Sequence, residues 1–331
     1  MGGNTYNRIH EISLLSILQS CMKRTLVILF TLSCLYACSE ANDSAQRENQ
    51  AFVVDNTPPD WSSFVDHRSG NLPLILVAPH GGDQRPDWID DRSCANATIV
   101  QDQYTRDIAL RIEEALIARG YRPYLIATTM HRIKVDLNRS MANSFCSDNS
   151  TNALWTLFHN QINQYRQEIE QTHGRGLLID LHGHGHPIQK IELGYLRNGS
   201  NLRAFAQQPE STTATMVSIR NAVVEHPQGN SLSDLLIGPQ ALGSLLSAQG
   251  FLAIPAEGDI APNEGDAFFS GGYITQVYGS REGGRIDAIQ LELNRQGLRD
   301  TNENRTAFAD AMAEILLDYL SHHYSDVFTR E

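Results

Sequence analysis

The chain has 331 residues, 41% of them apolar and 19% charged, a globular composition that excludes a disordered, collagenous or coiled-coil protein. Its formal charge is −12. The first 37 residues hold Arg8, Lys23 and Arg24 against Glu11, a contribution of +2, so the remainder carries −14. A body that acidic repels phosphate backbones and sets nucleic acid aside as a partner, short of a local basic groove.

In chain order, the first signal is an address. Met22-Lys23-Arg24 precedes an apolar run of thirteen residues, 25–37, that ends at Cys38. A basic start and a short apolar stretch describe a secretory leader. As a helix the run would rise only about 20 Å, too short for a hydrocarbon core of ~30 Å. Leu35-Tyr36-Ala37-Cys38 resembles a bacterial lipobox. Residues 1–38 are therefore expected to be a leader and lipoprotein signal with Cys38 as the lipidated residue; a plain signal peptide with an incidental cysteine is the alternative. Residues 39–60 are polar, include Pro58-Pro59, and read as a flexible tether. Residues 61–331 then form a single domain, exported to the bacterial cell envelope and held at a membrane. Only Cys94 and Cys146 fall in that domain. In an oxidising compartment they form one disulfide or remain two buried thiols.

Along the domain, strands alternate with helices. Leu74–Ala78 is a continuous apolar run, the pattern of a strand buried on both faces, with Pro73 at its start. Residues 102–119 carry Ile108, Ile112, Ala115 and Leu116 at helical spacing, with Gly120 placed to stop the helix. Strands are expected at 124–127, 176–181, 251–254 and 288–293, and helices at 155–172, 242–249 and 307–322. This alternation predicts an α/β domain, three layers (α/β/α) around a mostly parallel sheet.

Ligands bind such sheets beyond the carboxyl ends of the strands, and there the sequence is rich in chemistry. The first strand runs into Pro79-His80-Gly81-Gly82-Asp83, the strand at 176–181 into His182-Gly183-His184-Gly185-His186, and the last carries Glu292 and Asn294. Two histidines and a carboxylate can hold a zinc ion with an open position, while a further carboxylate takes a proton. His80 is one candidate ligand, and Asp83 could reach the same ion through a tight turn. His182, His184 and His186 compete for the second imidazole, with His182 nearest the strand. Asp180 could orient an imidazole or merely cap the strand. In Ile289-Gln290-Leu291-Glu292-Leu293-Asn294 the polar residues share one face, and a carboxylate in a buried strand is costly unless paired or functional.

Five segments in this order carry a resemblance: Pro79-His80-Gly-Gly, Val135-Asp-Leu-Asn-Arg139, Asp180-Leu-His182, Gly271-Gly-Tyr-Ile-Thr275 with Tyr278-Gly279, and Ala288-Ile-Gln-Leu-Glu-Leu-Asn294. Together they make the stretch from Pro73 to Arg299 similar to the N-formylglutamate amidohydrolase family, whose fold is similar to zinc carboxypeptidases. The resemblance implies one zinc ion held by His80, Asp83 and His182, with Glu292 as general base. It further implies that Arg139 holds a substrate carboxylate, with Asn138, His184, Gly272 and Tyr273 also on the substrate. A His-Gly-His-Gly-His segment stands where that family commonly has His-Ser, and the chain carries an export signal, so the substrate stays open. The chemistry expected is hydrolysis of an amide in an N-acyl amino acid or short peptide with a free carboxylate. A non-catalytic ligand-binding lipoprotein on the same scaffold is the alternative. No G-x-S-x-G elbow, phosphate-binding G-x-x-x-x-G-K-[ST] loop or H-E-x-x-H helix occurs.

Overall fold

The apolar runs become strands of one mixed sheet: β1 Val65–Arg68, β2 Leu74–Ala78, β3 Tyr124–Thr128, β4 Gly176–Gly183, β5 Ile191–Gly194, β6 Ala253–Ile254 and β7 Ile286–Leu293. The computed structural model describes residues 60–146, 150–209, 216–225 and 229–330, all within a unit spanning Thr57–Glu331. Cys38, the leader and all but the last residue of the tether lie outside the described residues. Strand order is β1-β3-β2-β4-β7-β5-β6. The middle four, β3, β2, β4 and β7, run parallel, as expected of a buried α/β sheet. Antiparallel pairs flank them, β1 on β3 and β5 on β7.

Nine helices connect and cover the described strands: α1 Thr105–Ala118, α2 Met141–Ser144, α3 Asn152–Thr172, α4 Gly199–Gln207, α5 Arg220–Val224, α6 Leu232–Ile237, α7 Leu242–Ala248, α8 Tyr273–Tyr278 and α9 Asn302–His323. None is long and apolar enough to cross a membrane. Alternation along each strand sorts the side chains into two cores. Leu74, Leu76, Leu177, Ile179, Ile289 and Leu291 pack with α1, α7 and α9 on one face. Ile75, Val77, Leu178, Ile286 and Ala288 pack with α3 and α8 on the other. Helices on both faces make the three layers.

Register then decides which polar residues meet. In the parallel β4–β7 pair, Asp180 lies beside Gln290 and His182 beside Glu292. In the antiparallel β5–β7 pair, Glu192 lies beside Glu292. Directly paired residues point to the same face. Asp180, His182, Gln290 and Glu292 therefore continue the α3–α8 face beyond its last apolar residues, at the carboxyl end of the parallel strands.

A long connection, residues 79–104, leads from β2 to α1 and is anchored by a disulfide between Cys94 and Cys146. The bridge closes a loop of sequence separation 52. Loops of that size constrain the unfolded chain by roughly 2–4 kcal/mol. Changing both cysteines to serine is thus expected to lower the unfolding free energy by about that amount in urea titrations. An unchanged midpoint would show that the bridge contributes nothing to stability.

Candidate metal centre

His80 follows β2 and is buried, 1% exposed. The glycines after it are needed for close approach. A Cβ on Gly81 would stand 2.3 Å from the backbone nitrogen of Arg106 in α1, and one on Gly82 would stand 2.2 Å from the Thr129 carbonyl carbon. The loop is pressed between α1 and the segment after β3, which seals the imidazole in rather than presenting it to solvent.

Three atoms converge on one point. His80 Nδ1 lies 3.1 Å from His182 Nδ1, and Asp102 Oδ2 lies 3.3 Å from the first and 3.0 Å from the second. Tetrahedral ligands with bonds of 2.0–2.1 Å stand about 3.3 Å apart, close to this triangle. The far nitrogen of each ring is held by a fully buried carboxylate: His80 Nε2 by Asp136 Oδ1 at 2.6 Å, and His182 Nε2 by Asp180 Oδ1 at 3.0 Å. A carboxylate there fixes the Nε2–H tautomer and turns both Nδ1 lone pairs to the shared centre, the arrangement that orients metal-bound histidines.

Charge supports the same assignment. Asp102, Asp136, Asp180 and Glu292 are all buried. The nearby cations are Arg132, bonded to Asp136 and 3.6 Å from Asp102, Arg92, 3.7 Å from Asp136, Arg139, whose charge also acts on Asp136, and Arg299, whose charge acts on Asp102 and Glu292. Burial raises the cost of ionising Asp102, yet hydrogen bonds from His182 and His80 hold its carboxyl far below the usual range. Burial works against a charge on His182, but Asp180 and Asp102 raise its pKa well above that of a free imidazole. The carboxylates around His182 favour a positive charge at this point, which a dication would also supply. The donor set, two imidazoles and one carboxylate, suits zinc.

The third member of the triangle is Asp102, a residue the sequence does not single out, and the turn expected to deliver Asp83 does not form. Asp83 is exposed on the surface of the loop and lines a recess with Arg106 and Asp107. Asp102 takes its place because α1 begins at Thr105, later than the sequence pattern suggests, leaving Asp102 ahead of the turn that leads into the helix. Its backbone N–H donates to the His80 carbonyl at 3.1 Å, which ties the two residues together.

Glu292 stands beside His182 on the neighbouring strand. Its Oε1 accepts from Gln290 Nε2 at 2.9 Å, and Gln290 Oε1 accepts from the Gly272 N–H at 2.7 Å. Burial pushes its pKa up to about 8, against the pull of His182 and with help from the Asp102, Glu192 and Asp180 carboxylates. A bound dication would draw it down again.

Asn138 braces this cluster. Its backbone N–H donates to Asp136 Oδ1 at 3.0 Å, its Oδ1 accepts from the Ile274 N–H at 2.8 Å, and its Nδ2 lies 3.1 Å from His182 Nε2. Gly272 permits this: a Cβ there would stand 2.3 Å from Asn138 Nδ2. Tyr273 lies edge-on to His159, 5.7 Å between centroids, and His159 is kept neutral by burial, its pKa lowered to about 4. His159 in turn contacts the Leu137 carbonyl at 3.0 Å and Tyr278 Oη at 2.7 Å. Asn138, Gly272 and Tyr273 thus sit in the wall behind the centre.

Arg139 and the two later histidines stand apart from the triangle. Arg139 is exposed, donates to the Asn138 carbonyl, and lines a separate cavity of about 440 Å³ beside the disulfide. It does not line the cleft formed by Gln101, Gln103 and Gly183. His184 and His186 are not in the triangle with His80. His184 accepts the His186 N–H at Nδ1 (3.1 Å) and donates Nε2–H to the Lys190 carbonyl (2.8 Å), so both nitrogens are engaged. His186 Nδ1 pairs with Glu192 Oε1 at 2.7 Å. These three residues could approach one cation, but a ligand bond from His184 would have to break a backbone hydrogen bond.

No family model matches the chain, and no curated protein matches its sequence. Among solved structures it is similar to an N-formylglutamate amidohydrolase from Ralstonia eutropha, with 16% identity over 77% of this chain and 97% of that one, TM-score 0.48. It is also similar to a gene product of Agrobacterium tumefaciens (14% identity, 78% and 95% covered, TM-score 0.45). A third is an N-acetylmuramyl-L-alanine amidase from Mycobacterium smegmatis (16% identity, 75% and 96% covered, TM-score 0.35).

Proposed function

We propose that the protein is a zinc-dependent hydrolase that cleaves the amide bond of an N-acyl amino acid or short peptide bearing a free carboxylate. The observation that carries this reading is the convergence of His80, Asp102 and His182, each imidazole backed by a buried carboxylate, beside the unligated Glu292. Those three residues would hold one zinc ion. When bound, zinc supplies Lewis acidity toward water and toward an amide carbonyl.

The protein's part is to hold a proton and to hold the substrate. Glu292 Oε1 is occupied by Gln290, which leaves Oε2 to take a proton from the attacking water and return it to the leaving amine. Its raised affinity for a proton suits that task. A ligand-binding protein without catalysis would have no use for a buried acid in that position. The apolar run ending at Cys38 supports export and attachment to the cell envelope through lipid, and a disulfide in the domain agrees with an oxidising compartment.

Purified protein is expected to contain about one zinc per chain and to release free amine from a panel of N-formyl and N-acetyl amino acids. A strong chelator should abolish the activity and added zinc restore it. Hydrolysis that survives complete metal removal, or a protein that retains no divalent metal, would sink the reading.

A further inference from the structure

A cleft of about 410 Å³ is walled in part by chain neighbours of Asp102, His182 and Glu292, while those side chains themselves and His80 stay behind its lining. Gln101 and Gln103 flank Asp102, Gly183 follows His182, and Arg295 and Arg299 come just after Glu292. No carboxylate side chain lines it, whereas Arg85, Arg295 and Arg299 all do. In a chain of net charge −12 that is a notable concentration of positive charge.

The three arginines differ in how they are held. Arg299 is buried and spends its donors on backbone carbonyls of Leu293, Gln103 and His184; it fastens the floor and adds charge. Arg295 gives one nitrogen to Gln103 Oε1 at 2.6 Å and is otherwise exposed. Arg85 is exposed as well. Neither Arg85 nor Arg295 has a carboxylate within ion-pair distance among the described residues, unlike Arg106, Arg119 or Arg175 elsewhere on the fold.

His131 supplies an independent pointer. It is 3% exposed and lines the same cleft. Its Nδ1 accepts the Ile133 N–H at 2.9 Å, which places the ring proton of a neutral imidazole on Nε2. That Nε2–H faces Arg85 Nη2 at 2.7 Å, so two donors confront each other with no acceptor between them. Burial and the Arg85 charge both keep the ring from protonating further. An anionic oxygen entering the cleft would accept from both donors.

We propose that Arg85, His131 and Arg295 form an anion subsite that takes the free carboxylate of the substrate. The inference deepens the hydrolase reading by naming what the cleft selects, and it moves carboxylate recognition from Arg139 to the opposite side of the 94–101 loop. The planar fork of a guanidinium suits a carboxylate through two parallel donors. Ile99 and Val100, 40% and 72% exposed on the same rim, offer apolar surface to the carbon skeleton between that carboxylate and the amide.

The test uses glutarate and pentanoate, which share a five-carbon chain and one carboxylate but differ in the second. Neither has an amide, so binding is read without turnover. Calorimetry on the metal-containing protein should show glutarate binding at least ten-fold more tightly than pentanoate. Arg85→Gln and Arg295→Gln should each shrink that ratio several-fold with zinc content unchanged, and Arg139→Gln should leave it intact. Equal binding of the two acids by the parent overturns the proposal, as does a preference abolished by Arg139→Gln but untouched by Arg85→Gln. A protein that hydrolyses no amide yet keeps the Arg85-dependent preference would refute the catalytic reading alone. One that hydrolyses amides without the preference would refute the subsite alone.

Discussion

Glu292→Gln is expected to retain zinc and to lose turnover by about 10²–10⁴-fold. The substitution keeps the side chain's shape, and its carbonyl oxygen can still accept from Gln290 Nε2, so the β7 surface should not move. What it removes is the capacity to hold a proton beside the centre. Stability should not suffer, because Glu292 sits where burial disfavours the ionised carboxylate, and a neutral side chain avoids that cost. Metal content by mass spectrometry, kcat and melting temperature, measured together, separate the alternatives. A variant as active as the parent would remove Glu292 from the chemistry, whereas one that has lost its zinc would make the residue a support of the metal site.

Much of this centre was readable from the chain because it lies at strand ends. Leu74–Ala78 and Ala288–Leu293 announce buried strands by uninterrupted or alternating apolar residues, and the polar residues after them fall at the carboxyl edge once the strands are parallel. His80, His182 and Glu292 all stand at such ends, and Asp180 contacts His182 Nε2. Asp102 was hidden by its position. An acid just ahead of an amphipathic helix ordinarily reads as a first-turn or capping residue, and only the delayed start of α1 at Thr105 releases it. Asp83 looked attractive because three residues from His80 is near in sequence; the glycine pair, however, lets the chain run between α1 and residues 129–130 instead of turning back. Arg139 shows a related limit. Asn138 and Arg139 are adjacent, yet Asn138 faces His182 and Arg139 lines a different cavity, because the chain turns at this pair. Short elements such as β5 and α8 carry too few apolar residues to show a period, and it is their placement beside β7 that brings Glu192 and Gly272 to the site.

The contrast between Asp102 and Asp83 gives the sharpest test of the metal centre. Asp102→Ala removes one of the three proposed protein ligands, and zinc occupancy is expected to collapse with activity falling below detection. The fold should tolerate the change: Arg132 keeps its two hydrogen bonds to Asp136 Oδ2 at 3.1 and 3.0 Å, so no buried cation is stranded, and both imidazoles keep their outer carboxylates. Asp136→Asn supplies the graded comparison. It leaves the triangle of ligand atoms in place but weakens the hydrogen bond that orients His80, and a loss of about 10–100-fold in zinc affinity is expected. Asp83→Asn, on the exposed loop, should match the parent in both zinc content and turnover. The order of effects, Asp102 far above Asp136 and Asp83 near zero, follows from which carboxylate touches the shared centre, which touches a ligand, and which touches neither. If Asp83→Asn lost its zinc while Asp102→Ala kept it, the ligand set drawn from the geometry would be wrong.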